Sequence, residues 1–191
     1  MMRIITGRAR GVKLLSLEGE QTRPTAERTK EAVFSMLQFE MEDRRVLDLF
    51  AGSGQMGLEA VSRGAASAVL TDRSREAVEV IKKNCLKTKL APFCEVICSD
   101  YAEFLRNCRG KRKFDMVFLD PPYALNLIPD AIRGMLRSRV IEEGCTLVCE
   151  SADFAHVFGG DAELASRFEI IREARYGVAC VTVMRLLEGE K

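Results

Sequence analysis

Short apolar runs recur along this chain, and most are followed by a stretch with apolar residues at helical spacing. Arg45–Phe50 predicts a strand, followed by a Gly-rich turn and a helix over about Gln55–Arg63. Gly64 stands where a helix-terminating glycine is expected. Ala68–Thr71 predicts a second strand, and Ser74 can cap a helix through about Lys87, with Ala77, Val78 and Ile81 inward. Glu95–Cys98 predicts a third strand, with a short helix from Tyr101. Phe114–Leu119 predicts a fourth, and a helix near Pro129–Arg137 leads to a fifth, Cys145–Glu150. Strands separated by helices imply a parallel sheet covered on both faces.

Both ends of the chain break this rhythm. Arg3–Thr6 and Val12–Leu15 are β-prone runs around Gly7 and Gly11, and they predict a small hairpin. Gln21–Thr25 reads as a loop containing Pro24. Thr25 can cap a helix through about Gln38, with Ala32, Val33, Met36 and Leu37 on its apolar side. Near the other end, Phe168–Tyr176 and Val178–Leu187 have only Gly177 between them. That spacing predicts a second hairpin, so at least one strand is antiparallel. A mostly parallel sheet closed by such a hairpin resembles the class I methyltransferases, whose seventh strand is reversed.

Composition narrows the class. With 191 residues and 47% hydrophobic residues, one domain with a sizeable core is expected. The 30% charged residues and the lack of a long apolar stretch argue against a membrane protein. The first eight residues show no signal-peptide pattern, so a cytoplasmic protein is expected. Seven cysteines show neither CxxC nor Cys/His metal spacing, which predicts buried reduced thiols and no metal site. Net charge is +1, yet residues 1–30 hold seven basic and three acidic residues and carry +4. A basic arm on a near-neutral body points to a polyanion contact.

Candidate chemistry gathers at the predicted strand ends. In an open α/β sheet, ligands bind beyond the carboxyl ends of the strands. Asp48, Asp72, Asp100 and Asp120 all fall at or just past such ends. Gly52-Ser53-Gly54-Gln55-Met56-Gly57 matches GxGxxG, a pattern shared with nicotinamide and flavin enzymes. Asp48 before it separates the two: an acid suits a cationic methionyl amine and does not suit a pyrophosphate. Asp72 can accept two ribose hydroxyls, or can merely cap a helix. Asp100 can accept an adenine amino group while the Tyr101 N–H donates to the ring, or Asp100 can be an N-cap. The cofactor candidates are therefore Asp48, the turn residues Phe50, Ala51, Gly52, Ser53 and Gly54, then Asp72 with Arg73, and Asp100 with Tyr101.

Asp120-Pro121-Pro122-Tyr123 ends the fourth strand and is the catalytic candidate. A carboxylate and a proline carbonyl can accept both protons of an exocyclic amine, and the ring can stack on its base. Such an amine is a poor nucleophile because its lone pair is delocalised. Holding both protons favours a more pyramidal nitrogen, and positioning supplies much of the acceleration. With the glycine turn, this predicts methyl transfer from S-adenosylmethionine to a nucleobase that is single-stranded or flipped out. Arg3, Arg8, Arg10, Lys13 and Arg23 are the candidate RNA contacts. The lone histidine, His156, carries no expected role.

The segments RIITGRARGVKL, TRPTAERTKEAVFSML, LDLFAGSGQMGLEAVSRGA and FLDPPY together resemble the bacterial RsmD-type 16S ribosomal RNA guanine-N2 methyltransferases. The resemblance runs over nearly the whole chain. It implies a class I methyltransferase Rossmann-like fold, with a mostly parallel seven-stranded sheet, helices on both faces and a small N-terminal hairpin. Residues 1–24 would be a basic extension and 25–191 the methyltransferase domain. It implies S-adenosylmethionine as donor and a specific guanine of small-subunit ribosomal RNA as acceptor. The substrate would be an assembled or partly assembled 30S particle, met by a monomer. One departure is visible: relatives often carry a second acid shortly after the strand-two acid, and here Arg73-Ser74 follow Asp72.

Rival readings have their own signatures. Adenine-N6 methylation of DNA or RNA suits the DPPY loop equally. A protein-glutamine methyltransferase usually carries Asn in place of Asp120. A dehydrogenase would use the glycine turn and leave DPPY idle, and an RNA-binding assembly factor would need neither.

Overall fold

The computed structural model describes residues 2–17 and 24–188. Its central feature is a seven-stranded sheet in the order β3-β2-β1-β4-β5-β7-β6. The strands are β1 (Arg45–Asp48), β2 (Ser67–Asp72), β3 (Cys94–Cys98), β4 (Phe114–Leu119), β5 (Ile141–Ser151), β6 (Phe168–Tyr176) and β7 (Ala179–Leu186). β1 to β5 pair in parallel, while β7 runs antiparallel to both β5 and β6. The helices are α1 (Pro24–Met36), α2 (Gln55–Ser62), α3 (Arg75–Thr88), α4 (Tyr101–Asn107), α5 (Ile128–Ser138) and α6 (Ala162–Ser166). The expected Rossmann-like architecture with a reversed seventh strand is therefore present.

Successive strand residues point to opposite faces, and both faces are buried. Val46, Met116, Phe118 and Val148 pack with Phe34 of α1, Leu58 of α2 and Ile81 of α3. Leu47, Val117, Leu119 and Leu147 pack with Phe104 of α4, Ile132 of α5 and Leu164 of α6. Phe34 is fully buried against Phe118, with ring centroids 5.6 Å apart. Truncating such a ring to alanine costs about 3–5 kcal/mol.

The N-terminal hairpin forms, with an antiparallel bridge between Arg3 and Lys13. Met2, Ile4, Ala9 and Leu14 join the first of the two cores. Polar ties hold the arm as well. The fully buried Glu59 of α2 accepts the N–H groups of Ile5 and Thr6 at 2.7 and 3.0 Å. Buried Asn84 of α3 accepts the Leu15 N–H at 2.8 Å and donates to the Leu15 and Ser53 carbonyls.

Several expectations need correction. Pro24 opens α1 instead of lying in a loop, because proline lacks only an N–H that a first-turn residue leaves unused. Thr25 is thus inside the helix and is not its cap. β5 begins at Ile141, earlier than its apolar half suggests, since Glu142, Glu143 and Gly144 are exposed strand positions. α6 was not expected from the sequence. All seven cysteines are free thiols, but Cys98 is exposed and Cys94 half-buried because they sit on β3 at the sheet edge. Lys30 does not add to a solvated basic arm. It is buried, donates to the Arg3 carbonyl at 2.7 Å and lies 4.0 Å from Glu59. Burial lowers its pKa despite that neighbour.

Candidate active site

The sheet order reverses direction at β1, between β2 and β4, so a crevice opens beyond the carboxyl ends of these strands. The structure has a cleft of about 380 Å³ at that place. The chain leaves β1 through Leu49, whose N–H donates to the Phe118 carbonyl at 3.2 Å. Ala51 N–H then donates to the Thr71 carbonyl at 2.8 Å, and Thr71 Oγ1 donates to the Leu49 carbonyl at 2.8 Å. Gly52 and Gly54 follow with φ of +54° and +79°, a region that L side chains rarely adopt. The bend delivers the chain into α2.

The acids of this half are held by backbone N–H groups. Asp72 Oδ2 accepts the Gly52 N–H at 2.9 Å, and its Oδ1 accepts the Ser74 N–H at 2.8 Å. The carboxylate therefore ties the glycine bend to the start of α3, where Ser74 Oγ accepts the Ala77 N–H as N-cap. Asp100 caps α4 through the Ala102 N–H at 2.9 Å while also lining the cleft. Its two sequence readings are thus compatible. The Phe50 and Tyr101 rings meet at 5.4 Å and form an apolar wall. Burial, then the charges of Asp130 and Asp100, raise the Tyr101 pKa.

Asp48 lies beneath the bend. It is buried, and its Oδ2 accepts the Gly57 N–H in the first turn of α2 at 2.9 Å. Burial raises its pKa to about 7, with the Gly57 N–H opposing and Asp72 adding to the rise. Ala51 and Ser53 are also buried, and Ser53 Oγ donates to Met2 Sδ. Asp48, Ala51, Ser53 and Gly54 therefore shape the bend, whereas Phe50, Gly52, Asp72, Arg73, Asp100 and Tyr101 line the cleft.

Asp120, Pro121, Pro122 and Tyr123 line the same cleft from the β4 side. Asp120 is exposed and Pro121 buried. Tyr123 Oη donates to Glu150 Oε1 at 2.6 Å. Burial, the Glu150 bond and the charge of Asp120 hold the Tyr123 hydroxyl well above the usual phenol range. Glu150 was missed in the sequence, although it ends the fifth apolar run as Asp120 ends the fourth. Leu17, Leu125 and Leu127 also line the cleft and carry no local sequence signal.

The basic residues divide. Arg3, Arg8, Arg10 and Lys13 are exposed, and Arg3 pairs with Glu27 at 3.0 Å. Arg8 N–H donates to the Ser62 carbonyl at the end of α2, and its guanidinium stacks 4.8 Å over Phe93, just before β3. Arg8 thus sits at the amino-terminal edge of the sheet, opposite the cleft. Arg23 lies outside the described residues. Among the described residues, no cluster of three His, Cys, Asp or Glu could hold a metal ion, and no helix is long and apolar enough to cross a membrane.

The family described as "Conserved hypothetical protein 95" matches residues 2–185. Ribosomal RNA small subunit methyltransferase D of Haemophilus influenzae is 35% identical over 151 residues, covering 78% of this chain and 78% of that protein. Its Escherichia coli K12 counterpart of the same name is 38% identical over 131 residues, 69% of this chain and 65% of that one. A solved Escherichia coli structure with a provisional methyltransferase designation superposes with a TM-score of 0.83 at 29% identity. The match covers 97% of this chain and 98% of that one. The chain belongs to the conserved hypothetical protein 95 family, the RsmD-type family that its motifs resemble.

Proposed function

We propose that this protein transfers a methyl group from S-adenosylmethionine to the exocyclic N2 of a guanine in small-subunit ribosomal RNA. One observation carries the reading: the glycine bend with Asp72 and Asp100, and the Asp120–Tyr123 loop, line a single cleft. Its volume of about 380 Å³ is in the range of small-molecule sites. The donor set fits the cofactor. Asp72 supplies carboxylate oxygens for ribose hydroxyls, Asp100 an acceptor for an adenine amine, and Phe50 and Tyr101 an apolar wall for its ring. Buried Asp48 lies under the bend, where an approaching methionyl ammonium would favour its ionised form.

When bound, S-adenosylmethionine would supply an activated methyl carbon, with a neutral thioether as its leaving group. Asp120 and the Pro121 carbonyl would accept hydrogen bonds from the two amine N–H groups of the guanine and hold its lone pair toward the methyl carbon. The Tyr123 ring stacks on the base and fixes its plane. After the N–C bond forms the cationic nitrogen is strongly acidic and would lose one proton to Asp120 or to water, so Asp120 need not be a strong base. The target base must lie outside a helix stack to enter the cleft. Arg3, Arg8, Arg10, Lys13 and Arg23 would contact phosphates, with Arg8 engaging RNA at the opposite edge. The Haemophilus and Escherichia coli relatives carry a small-subunit ribosomal RNA methyltransferase name, which supports ribosomal RNA over DNA as the acceptor. We place the enzyme in the cytoplasm, acting as a monomer on assembled or partly assembled 30S particles.

The test is incubation with methyl-labelled S-adenosylmethionine and small subunits from a strain lacking this gene. Nucleoside mass spectrometry should show labelled N2-methylguanosine. Labelled N6-methyladenosine, or no labelled nucleoside, would overturn the reading.

A further inference from the structure

Tyr123 is not held by the cleft it lines. It begins a short 3-10 turn, Tyr123–Leu125, and its hydroxyl reaches across to Glu150 at 2.6 Å. Leu119 on β4 is in register with Cys149 on β5, so Asp120 and Glu150 are consecutive neighbours at the carboxyl rim. Glu150 also pairs with Val181 on β7. Just beyond it, Ser151 Oγ donates to the Asp153 carbonyl at 2.8 Å, and Cys180 Sγ donates to the Ala152 carbonyl at 3.5 Å. The carboxylate thus stands on a well-tied part of the sheet.

Glu150 does not line the donor cleft. It lies on the other side of the proline loop, in a small recess with Pro121, Pro122, Tyr123 and Ser151. A half-buried carboxylate beside two prolines is unfavourable unless its hydrogen bond offsets the lost hydration. Short charge-assisted bonds of this kind fix geometry as well as add energy. Without it, the Tyr123 ring has two free side-chain torsions and no polar anchor.

We propose that Glu150 is a positioning residue that fixes the Tyr123 ring, and through it the plane of the acceptor base above Asp120 and Pro121. The proposal rests on the methyl-transfer reading. Glu150 is then the second carboxylate of the acceptor side, with a role distinct from that of Asp120. Misplacement by about 1 Å can cost on the order of 100-fold in rate, so a loosened ring should lower kcat more than donor affinity.

Glu150→Ala, Glu150→Gln and Glu150→Ala/Tyr123→Phe are compared with the wild type. Calorimetry gives S-adenosylmethionine affinity, and small subunits lacking the methyl group give kcat and KM. Glu150→Ala should lower kcat about 10- to 100-fold with donor affinity within about twofold. Glu150→Gln keeps a carbonyl acceptor for the hydroxyl and should recover most of the rate. Adding Tyr123→Phe to Glu150→Ala should cost little more, because the two act as one unit. Wild-type kcat in Glu150→Ala, or a Glu150→Gln variant as slow as Glu150→Ala, would overturn the proposal. Proton NMR gives a readout independent of turnover. A Tyr123 hydroxyl proton protected from exchange should be seen in the wild type and in Glu150→Gln and lost in Glu150→Ala. Its absence from the wild type would also overturn the proposal. An inactive wild type with that proton present would instead count against the methyl-transfer reading alone.

Discussion

The two sides of the cleft are built differently. On the β1–β3 side, Asp48, Asp72 and Asp100 each accept a backbone N–H, from Gly57, from Gly52 and Ser74, and from Ala102. On the β4–β5 side, a side chain holds a side chain, Tyr123 to Glu150. Backbone-held acids are part of the local fold, so changing them disturbs loop geometry and ligand together. The Tyr123–Glu150 pair can be altered without rebuilding a turn. Substitutions on the first side should therefore affect stability and donor affinity, and those on the second should affect rate.

The largest expected effect is on the first side. Asp48 binds its proton more tightly in the fold, where its pKa is about 7, than in the unfolded chain, where it is near 3.8. Its favourable contribution is full below about 3.8, falls as pH rises through about 7 and is flat above. The loss is at most about 4 kcal/mol. Asp48→Asn mimics the protonated form and still offers an acceptor to Gly57. Chemical denaturation from pH 4 to 8 should show the wild type losing stability relative to Asp48→Asn. Parallel curves would break the assignment of a buried, strained carboxyl.

Next is the catalytic loop. Asp120→Ala should lower kcat about 100- to 1,000-fold, comparable to removing a preorganised transition-state contact, with donor affinity within about twofold. Single-turnover kinetics and calorimetry separate these quantities. Equal loss of both would erase the contrast between the two sides.

Smaller still is Asp72→Ala. Loss of hydrogen bonds to a charged acceptor should weaken S-adenosylmethionine about 10- to 100-fold. Thermal unfolding should also show a loss of about 1–3 kcal/mol, because the Gly52 and Ser74 N–H groups lose their acceptor. Weakened donor binding with unchanged stability would show that the backbone bonds matter little.

The smallest effect should come from the arm. Arg8→Ala with Arg10→Ala should weaken RNA binding and lower the salt slope by up to about 2. An unchanged slope would remove the amino-terminal edge from the RNA path.

Much of this architecture was legible in the sequence because its signals are local. The first strand, the glycine turn and the helix after it fall within residues 45–62, and DPPY is contiguous. The start of α1 was misplaced because proline fits both a loop and a helix's first turn. The first residues of β5 were missed because an exposed Glu-Glu-Gly carries no apolar alternation. Lys30 counts toward the charge of residues 1–30, and its burial is not legible there because Glu59 is distant in sequence and meets it only when α1 packs on α2. Glu150 was within reach: an acid ending a strand was the criterion that selected Asp120, and it applied equally to strand five.

A crystal structure with S-adenosylhomocysteine bound tests the shared cleft most directly. The ribose hydroxyls should lie on Asp72, the adenine amine should face Asp100, and the sulfur should open toward Asp120 and Pro121. A ligand seated elsewhere, or one whose sulfur turns away from the proline loop, would contradict the account.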